Sequence, residues 1–477
     1  MKSYYNKIQT IIIKVPRKEE EGKKAMIPTS TWMSSASTKA TERMLGVSPI
    51  KTLLTKGSVV VVLLGTVIMI GTTQFCKQHT FCELNPSKPS STDTMKAISY
   101  KQHGNTSMLE YTVDKYPRPI PRDDQILIQI KSSSINPCDF KFRRNSIRNV
   151  LGNRLFPKPK IPGIDVSGIV TQVGKDVKDF KVGDAVVGLL PSIGLRWGSA
   201  AEYTTISQSL ATKFDVVKDS DNNDESDTTT TTQLSFEEVA SIPVVALTTI
   251  QGFENVPYLK RIMYNDHEDE SEDGAQRKKV LIHAGAGGVG TFAIQYAKHV
   301  LGLYVTTTAS LQKSEFLKSI GADEVIDYHT TNFEDVIENY DIVFDTMSWL
   351  YEDRTLHKES KVLKNNGYYI NILGSDWSLS PNGQEVANGF STFKNQIIHS
   401  KLFSLIGSGS QQRRKINYST VMVEPNSKHI QMALNVMTGK QPKVKAIIDQ
   451  TFKLEDTAKA YDYLEQGHAT GKVIITN

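Results

Sequence analysis

Cysteine is scarce in this chain: Cys76, Cys82 and Cys138 are all that 477 residues contain. Three thiols cannot build a four-cysteine structural zinc lobe, and they are too few for a disulfide-stapled scaffold. Cys76 and Cys82 would pair only in an oxidising compartment. Positive charge is missing from most of the chain as well. The formal charge is +5, but residues 1–56 hold 11 Lys or Arg against 4 Glu, which leaves −2 for everything after them. A near-neutral body has no electrostatic footprint for nucleic acid, so no nucleic-acid partner is expected. Internal repeats are absent too.

One long apolar run is present. Gly57 to Cys76 carries no charged side chain and is bracketed by Lys56 and Lys77. About 20 mostly apolar residues are what a bilayer core requires of a helix. A single-pass membrane-anchor helix is therefore expected at 57–76, after a basic, Ser/Thr-rich leader at 1–56 and before a polar linker at 77–95. The run starts too far from Met1 for a signal peptide. The positive-inside rule puts the N-terminus on the cytoplasmic or matrix side. Two later stretches, 218–233 and 264–278, are acidic and polar and read as loops that bury no apolar surface. The acids between His267 and Asp273 read as solvated charge rather than a metal site.

The most informative stretch runs from Val280 to Gly302. An apolar strand, Val280 to Ile282, ends in Gly285, Gly287, Gly288 and Gly290, and an amphipathic helix is predicted over 291–301. Strand, glycine turn and helix N-terminus in that order form a dinucleotide-site pattern. The glycines admit a pyrophosphate to the backbone, and the helix end offers N–H groups and a positive dipole. A second strand, Leu303 to Thr307, leads into Thr308-Ala309-Ser310-Leu311-Gln312-Lys313. NAD sites usually carry an acid there for the ribose 2′-hydroxyl. This chain offers the hydroxyl of Ser310 and the cation of Lys313 instead, which suit a 2′-phosphate. NADPH is the expected cofactor. A helix at 311–319 and strands at 323–327, 341–345 and 367–373 continue the alternation and imply a doubly wound parallel sheet.

Upstream, residues 125–136 begin as an alternating strand. Asn136-Pro137-Cys138-Asp139, Pro162-Gly163-Ile164-Asp165, Val182-Gly183-Asp184 and Gly198 to Tyr203 punctuate several short strands, the pattern of a compact β-barrel-like domain. With the loop at 284–290 and the ending Gly467-His468-Ala469-Thr470-Gly471-Lys472-Val473, these blocks resemble the zinc-free quinone oxidoreductase branch of the medium-chain dehydrogenase/reductase superfamily. The resemblance covers residues 96–477.

The resemblance implies an α/β fold with a GroES-like catalytic domain at 96–245 and 418–477 and a Rossmann domain at 246–417. It implies a mitochondrial NADPH-dependent reductase of quinones or α,β-unsaturated carbonyls; a homodimer is a further expectation for the chain. Gly285, Gly287, Gly288, Val289 and Gly290 would line the pyrophosphate. Ser310, Lys313 and Tyr328 would surround the 2′-phosphate, Thr248 and Leu373 would face the nicotinamide, and Lys472 would border the cofactor. Asn136 stands where zinc-dependent relatives have a metal-binding cysteine, and Gly163-Ile164-Asp165 stands for their glycine-histidine-glutamate element, so no catalytic metal is expected. Asn136, Asp139 and Lys141 are the candidate catalytic residues. Asn136 reads equally as a turn residue before Pro137, and Asp139 as an Asx turn or a salt bridge to Lys141 or Arg143. The alternative function is an NADPH-binding interaction or regulatory protein at a membrane that uses the fold without turnover.

Overall fold

The computed structural model describes residues 93–144, 160–191, 197–216, 233–264, 277–347, 349–357, 359–372 and 415–477. The leader, the expected anchor, most of the linker, Cys76, Cys82, Leu373 and nearly all of the two hydrophilic stretches lie outside them. Among the described residues, no helix is long and apolar enough to cross a membrane.

The first half is built from short strands. β1 (Thr94–Ser99) and β2 (Glu110–Pro117) form an antiparallel pair. β3 (Gln125–Ile135), β4 (Asp165–Val173), β5 (Ala185–Leu189), β6 (Tyr203–Ser207) and β7 (Ala211–Lys213) belong to a seven-stranded sheet with two strands from the far end of the chain. In β3, Ile126, Ile128 and Ile130 alternate into one core, as a strand's period of two requires. Helix α1 (Pro137–Arg144) follows β3 directly. Proline at the first helical position costs nothing there, because that N–H has no intrahelical partner. Helices α2 (Phe236–Ala240), α3 (Pro243–Phe253) and α4 (Pro257–Tyr264) lead into the nucleotide half.

There β8 (Lys279–Ile282), α5 (Gly288–His299), β9 (Tyr304–Ala309), α6 (Ser314–Ser319), β10 (Glu324–Asp327), α7 (Phe333–Val336), β11 (Tyr340–Asp345), α8 (Trp349–Leu356), β12 (Leu363–Ile372) and β13 (Asn417–Val421) alternate. The sheet order is β10-β9-β8-β11-β12-β13, and every pairing is parallel. Both faces are covered. Val280 and Ile282 of β8 enter one core while Leu281 between them enters another, with Phe333 and Tyr351 of α7 and α8. Each such fully buried side chain contributes about 1.5–3 kcal/mol. The order reverses between β8 and β11, and ligands bind outside the carboxyl ends of the strands at such a switch point.

The chain ends with α9 (Ser427–Met437), β14 (Ile448–Lys453), α10 (Thr457–Glu465) and β15 (Lys472–Thr476). β15 returns to the first sheet antiparallel to β3, with Val473 opposite Ile135. Three expectations shift in detail. The first nucleotide helix starts at Gly288 rather than 291, with Gly287 as its N-cap. The helix expected at 311–319 opens as a 3-10 turn, Leu311–Lys313, before α6. Residue 418, the expected point of return to the barrel, falls inside β13, which is hydrogen-bonded to β12 of the nucleotide sheet.

Candidate active site

The glycine loop is shaped by close approaches. A Cβ on Gly285 would lie 2.1 Å from Thr307 Oγ1, and one on Gly290 would lie 2.3 Å from the Ala284 carbonyl oxygen. These two glycines let α5 sit tight on β8 and β9. Ala284 itself is held in the left-handed region at φ 50°, a strain of about 1 kcal/mol. It is fixed there by its N–H on Thr308 Oγ1 at 3.1 Å and by Gly285 N on the Thr308 carbonyl at 3.0 Å.

Gly287 is different. A Cβ there would meet only the Ala284 carbonyl oxygen, at 3.4 Å, so packing does not exclude a side chain. α5 has no side-chain cap, and the N–H groups of Gly288, Val289 and Gly290 have no intrahelical partner. An open glycine before uncapped N–H groups at a positive helix end fits a pyrophosphate. The C-terminal segment closes the other side: Gly471 N–H donates to the Ala286 carbonyl at 2.8 Å.

The adenosine end lies where β9 and β10 stop. Ala309 pairs with Asp327, which sets Ser310 and Tyr328 side by side, and Tyr328 N–H donates to the Ala309 carbonyl at 3.3 Å. Ser310 caps no helix, Lys313 is half-buried, and Tyr328 is 51% exposed. Lys313 N–H donates to the Ser310 carbonyl at 3.0 Å, so the backbones of the three residues lie close together there. Thr248 is buried in α3 with its hydroxyl on the Val244 carbonyl at 2.7 Å.

His283, at the end of β8, is fully buried. Its ring stacks on Tyr351 at 4.5 Å and meets the edge of Phe333. Burial, with Arg354 adding to it, pushes its pKa down to about 3, which makes it a neutral core residue. His468 is exposed.

On the barrel side the register of β3 and β15 puts Lys472 against Asn136. The three hydrogens of the Lys472 ammonium face the Ile135 carbonyl at 3.2 Å, Asp165 Oδ2 at 3.3 Å and Asn136 Oδ1. Asn136 Nδ2 donates to Asp165 Oδ2 at 2.7 Å, and Ser134 Oγ donates to the same oxygen at 2.5 Å. Asp165 Oδ1 accepts the Val244 N–H at 2.9 Å. Lys472, Asn136 and Asp165 are 5%, 2% and 0% exposed, so their hydrogen bonds are shielded from competition by water.

The Lys472 ammonium is turned toward the barrel residues, and only its stem lies along the glycine loop. A Cβ on Gly288 would sit 2.9 Å from Lys472 Cδ. Asp165 was visible in the sequence only as a counterpart of the metal-family glutamate. An acid between Ile164 and Val166 at the start of an apolar strand is the signal that marks it as buried and partnered.

Asp139 accepts the Asn136 backbone N–H at 2.8 Å. Of the readings open for it, the structure shows a local turn bond. Arg143 reaches past it to Glu465 and to the Gly104 carbonyl at 2.6 Å. Burial pushes the Asp139 carboxyl up to about 7 against the pull of that backbone bond. Burial also raises the Cys138 thiol, with Asp139 and Asp165 adding to it. Lys141 is half-buried on α1, and its charge opposes the rise of the Cys138 thiol.

A cavity of about 840 Å³ lined by Glu334, Asp353, Arg354, His357 and Lys361 lies away from all this. It sits beside the amino ends of β11 and β12, where Asn339 N–H meets the Lys361 carbonyl. Its position is the wrong edge of the sheet for a dinucleotide.

Residues 122–216 match the alcohol dehydrogenase GroES-like domain family, and residues 320–475 match the zinc-binding dehydrogenase family. The chain is 31% identical over 388 residues to the tomato (Solanum lycopersicum) 2-methylene-furan-3-one reductase, covering 80% of this chain and 79% of that protein. It is 26% identical to the mouse (Mus musculus) mitochondrial NAD(P)H oxidoreductase RTN4IP1, covering 80% and 89%. Among solved structures, the quinone oxidoreductase from Coxiella burnetii superposes with a TM-score of 0.59 at 26% identity, over 81% of this chain and all of that one. The Escherichia coli quinone oxidoreductase complexed with NADPH shares the fold, with a TM-score of 0.57 at 19% identity over 80% of this chain and 100% of that one. Sheet order, glycine loop and relatives agree: the chain belongs to the medium-chain dehydrogenase/reductase superfamily, among its quinone oxidoreductase-like members.

Proposed function

We propose that the chain is a zinc-independent, NADPH-dependent reductase of α,β-unsaturated carbonyls or quinones. The observation that carries this reading is a juxtaposition. An uncapped helix end with an open glycine adjoins a buried polar cluster through one residue, Lys472, whose stem backs Gly288 and whose head holds Asn136. NADPH supplies a hydride, and the chain supplies its position and the electrostatics around the acceptor.

Gly285, Gly287, Gly288, Val289 and Gly290 hold the pyrophosphate in this reading. Ser310, Lys313 and Tyr328 take the 2′-phosphate, and Thr248 and Leu373 border the nicotinamide. Asn136 offers its amide to the acceptor oxygen, Asp139 holds a proton near neutral pH, and Lys141 adds positive charge on the same helix. The names of two relatives, a 2-methylene-furan-3-one reductase and a chloroplastic NADPH-dependent alkenal/one oxidoreductase, favour conjugated carbonyl acceptors.

We place the catalytic domain at 96–245 with the return to it beyond β13, and the nucleotide domain between. The anchor at 57–76, a mitochondrial location and a homodimer belong to this proposal too. The basic leader and the mitochondrial relatives support the location. Carbonate extraction of the tagged full chain beside its 57–76 deletion tests the anchor, which requires that only the full chain stay with the membrane.

The test of activity is the full-length protein with NADPH and a panel of enones, alkenals and quinones, followed at the nicotinamide absorbance. Oxidation dependent on an acceptor is expected. NADPH binding with no oxidation by any acceptor would leave the interaction-protein alternative standing.

A further inference from the structure

One carboxylate grips both the barrel and the helix that leads into the nucleotide half. Asp165, the first residue of β4, is fully buried, and both its oxygens are engaged. Oδ1 accepts the Val244 N–H at 2.9 Å. That bond stands in for a missing cap. α3 opens with Pro243, which has no N–H, and its N-cap residue Ile242 supplies no side-chain oxygen, so Val244 carries the first orphan donor of the helix. A negative charge at this end also suits the helix dipole. Oδ2 accepts Ser134 Oγ at 2.5 Å, Asn136 Nδ2 at 2.7 Å and the Lys472 ammonium at 3.3 Å. The other acceptors of that ammonium are the Ile135 carbonyl and Asn136 Oδ1, and the Asn136 amide is itself held by Asp165.

The two elements that Asp165 holds meet again at the glycine loop. A Cβ on Gly288 would sit 2.9 Å from Lys472 Cδ and 3.3 Å from Val245 Cγ1. The lysine stem and the residue after Val244 therefore back the first residue of α5. Gly287, Gly288 and Val289 remain partly exposed, so the loop is open to a ligand where the carboxylate is not. We infer that Asp165 is a positioning residue for the dinucleotide. It acts through Lys472 and the start of α3, which together seat Gly288, where the pyrophosphate binds in the NADPH reading on which this inference rests. Asn136 hangs from the same carboxylate oxygen as Lys472, so the cofactor loop and the Asn136 block of the barrel share one anchor.

The test measures binding of NADPH, NADH and ADP-ribose to the full-length protein, by nicotinamide fluorescence for the first two and by calorimetry for the third. ADP-ribose keeps the pyrophosphate and lacks both the nicotinamide and the 2′-phosphate. Asp165→Asn preserves the shape of the side chain but turns an amide N–H group against one of the two donor sets. It is expected to weaken all three ligands about tenfold, the worth of one charge-assisted hydrogen bond. The three losses should agree within about twofold, because the pyrophosphate is the part these ligands share. Lys472→Met combined with Asp165→Asn removes both charges and keeps an unbranched side chain beside Gly288. It should show the same loss, and it replaces the single variant if that one does not fold, since no buried charge is left unpaired.

A role confined to folding would lower the urea midpoint and leave the affinities of the folded variants unchanged, which would overturn the inference. So would tighter binding, the mark of a carboxylate that acts on the pyrophosphate by repulsion alone, or full recovery in the double variant. A loss for NADPH and NADH that ADP-ribose does not share would also overturn it, by placing the effect at the nicotinamide. Failure of the unmodified chain to bind any of the three ligands would instead sink the NADPH reading, and this inference with it.

Discussion

Replacing Asp139 by asparagine should stabilise the protein, and by more as pH rises. The carboxyl is 4% exposed, and its pKa is raised from 3.8 to about 7, chiefly by burial. A raised carboxylate pKa means that the folded state holds a proton the unfolded chain has already lost. Stability therefore falls as pH rises from the unfolded value toward the folded one, and the full cost is present above it. The interval corresponds to about 4 kcal/mol at pH 8 and about 2 kcal/mol at pH 5.

Asparagine removes the ionisation and keeps an oxygen for the Asn136 N–H that Asp139 accepts at 2.8 Å. Urea unfolding of Asp139→Asn and the unmodified chain at pH 5, 6, 7 and 8 reads this group, since titrations that Asp139 does not influence cancel in the difference. The advantage of the variant should grow by about 2–3 kcal/mol across that range. An advantage that does not change with pH, or an unmodified chain that is the more stable one at pH 8, would refute the placement of this acid.

The glycine loop separates packing from binding. Gly290→Ala puts a methyl 2.3 Å from the Ala284 carbonyl and should cost at least about 2 kcal/mol in thermal unfolding. Gly287→Ala meets nothing closer than 3.4 Å, so it should cost no more than about 1 kcal/mol while weakening NADPH at least about tenfold. Equal effects of the two on stability would contradict that division. Lys313→Glu should weaken NADPH by at least about tenfold and leave NADH nearly unchanged, and an equal loss of both would refute the 2′-phosphate assignment. Glu465→Gln strips the counter-charge from Arg143, which is fully buried, and should destabilise by about 3 kcal/mol. A change under about 0.5 kcal/mol would show that the pair does not anchor α1.

The nucleotide half was largely legible because its signals are local. Strand, glycines and helix follow one another within about 20 residues, and the missing acid after β9 is read at a fixed distance from them. The same locality explains the small errors: the helix begins at Gly288 because Gly287 can serve as an N-cap without a side chain, which apolar periodicity alone does not reveal.

The barrel side was legible only in part. Asn136 and Asp139 stood in one recognisable block, but their partners come from far along the chain. Lys472 is 336 residues from Asn136 and Glu465 is 322 from Arg143. Such pairs depend on the register of β15 on β3, which a single sequence does not encode locally. Asp165 stands in the sequence only as the counterpart of a metal-family glutamate, because its partners too lie far along the chain. Its role emerges only when Ser134, Val244 and Lys472 converge on it.

The most direct test of the account follows the hydride itself. The full-length protein is incubated with a conjugated enone and NADPH deuterated at the transferred position of nicotinamide C4, and the product is weighed by mass spectrometry. The account predicts a saturated ketone carrying one deuterium at the former β-carbon. An unchanged enone, or a saturated product without deuterium, would contradict it.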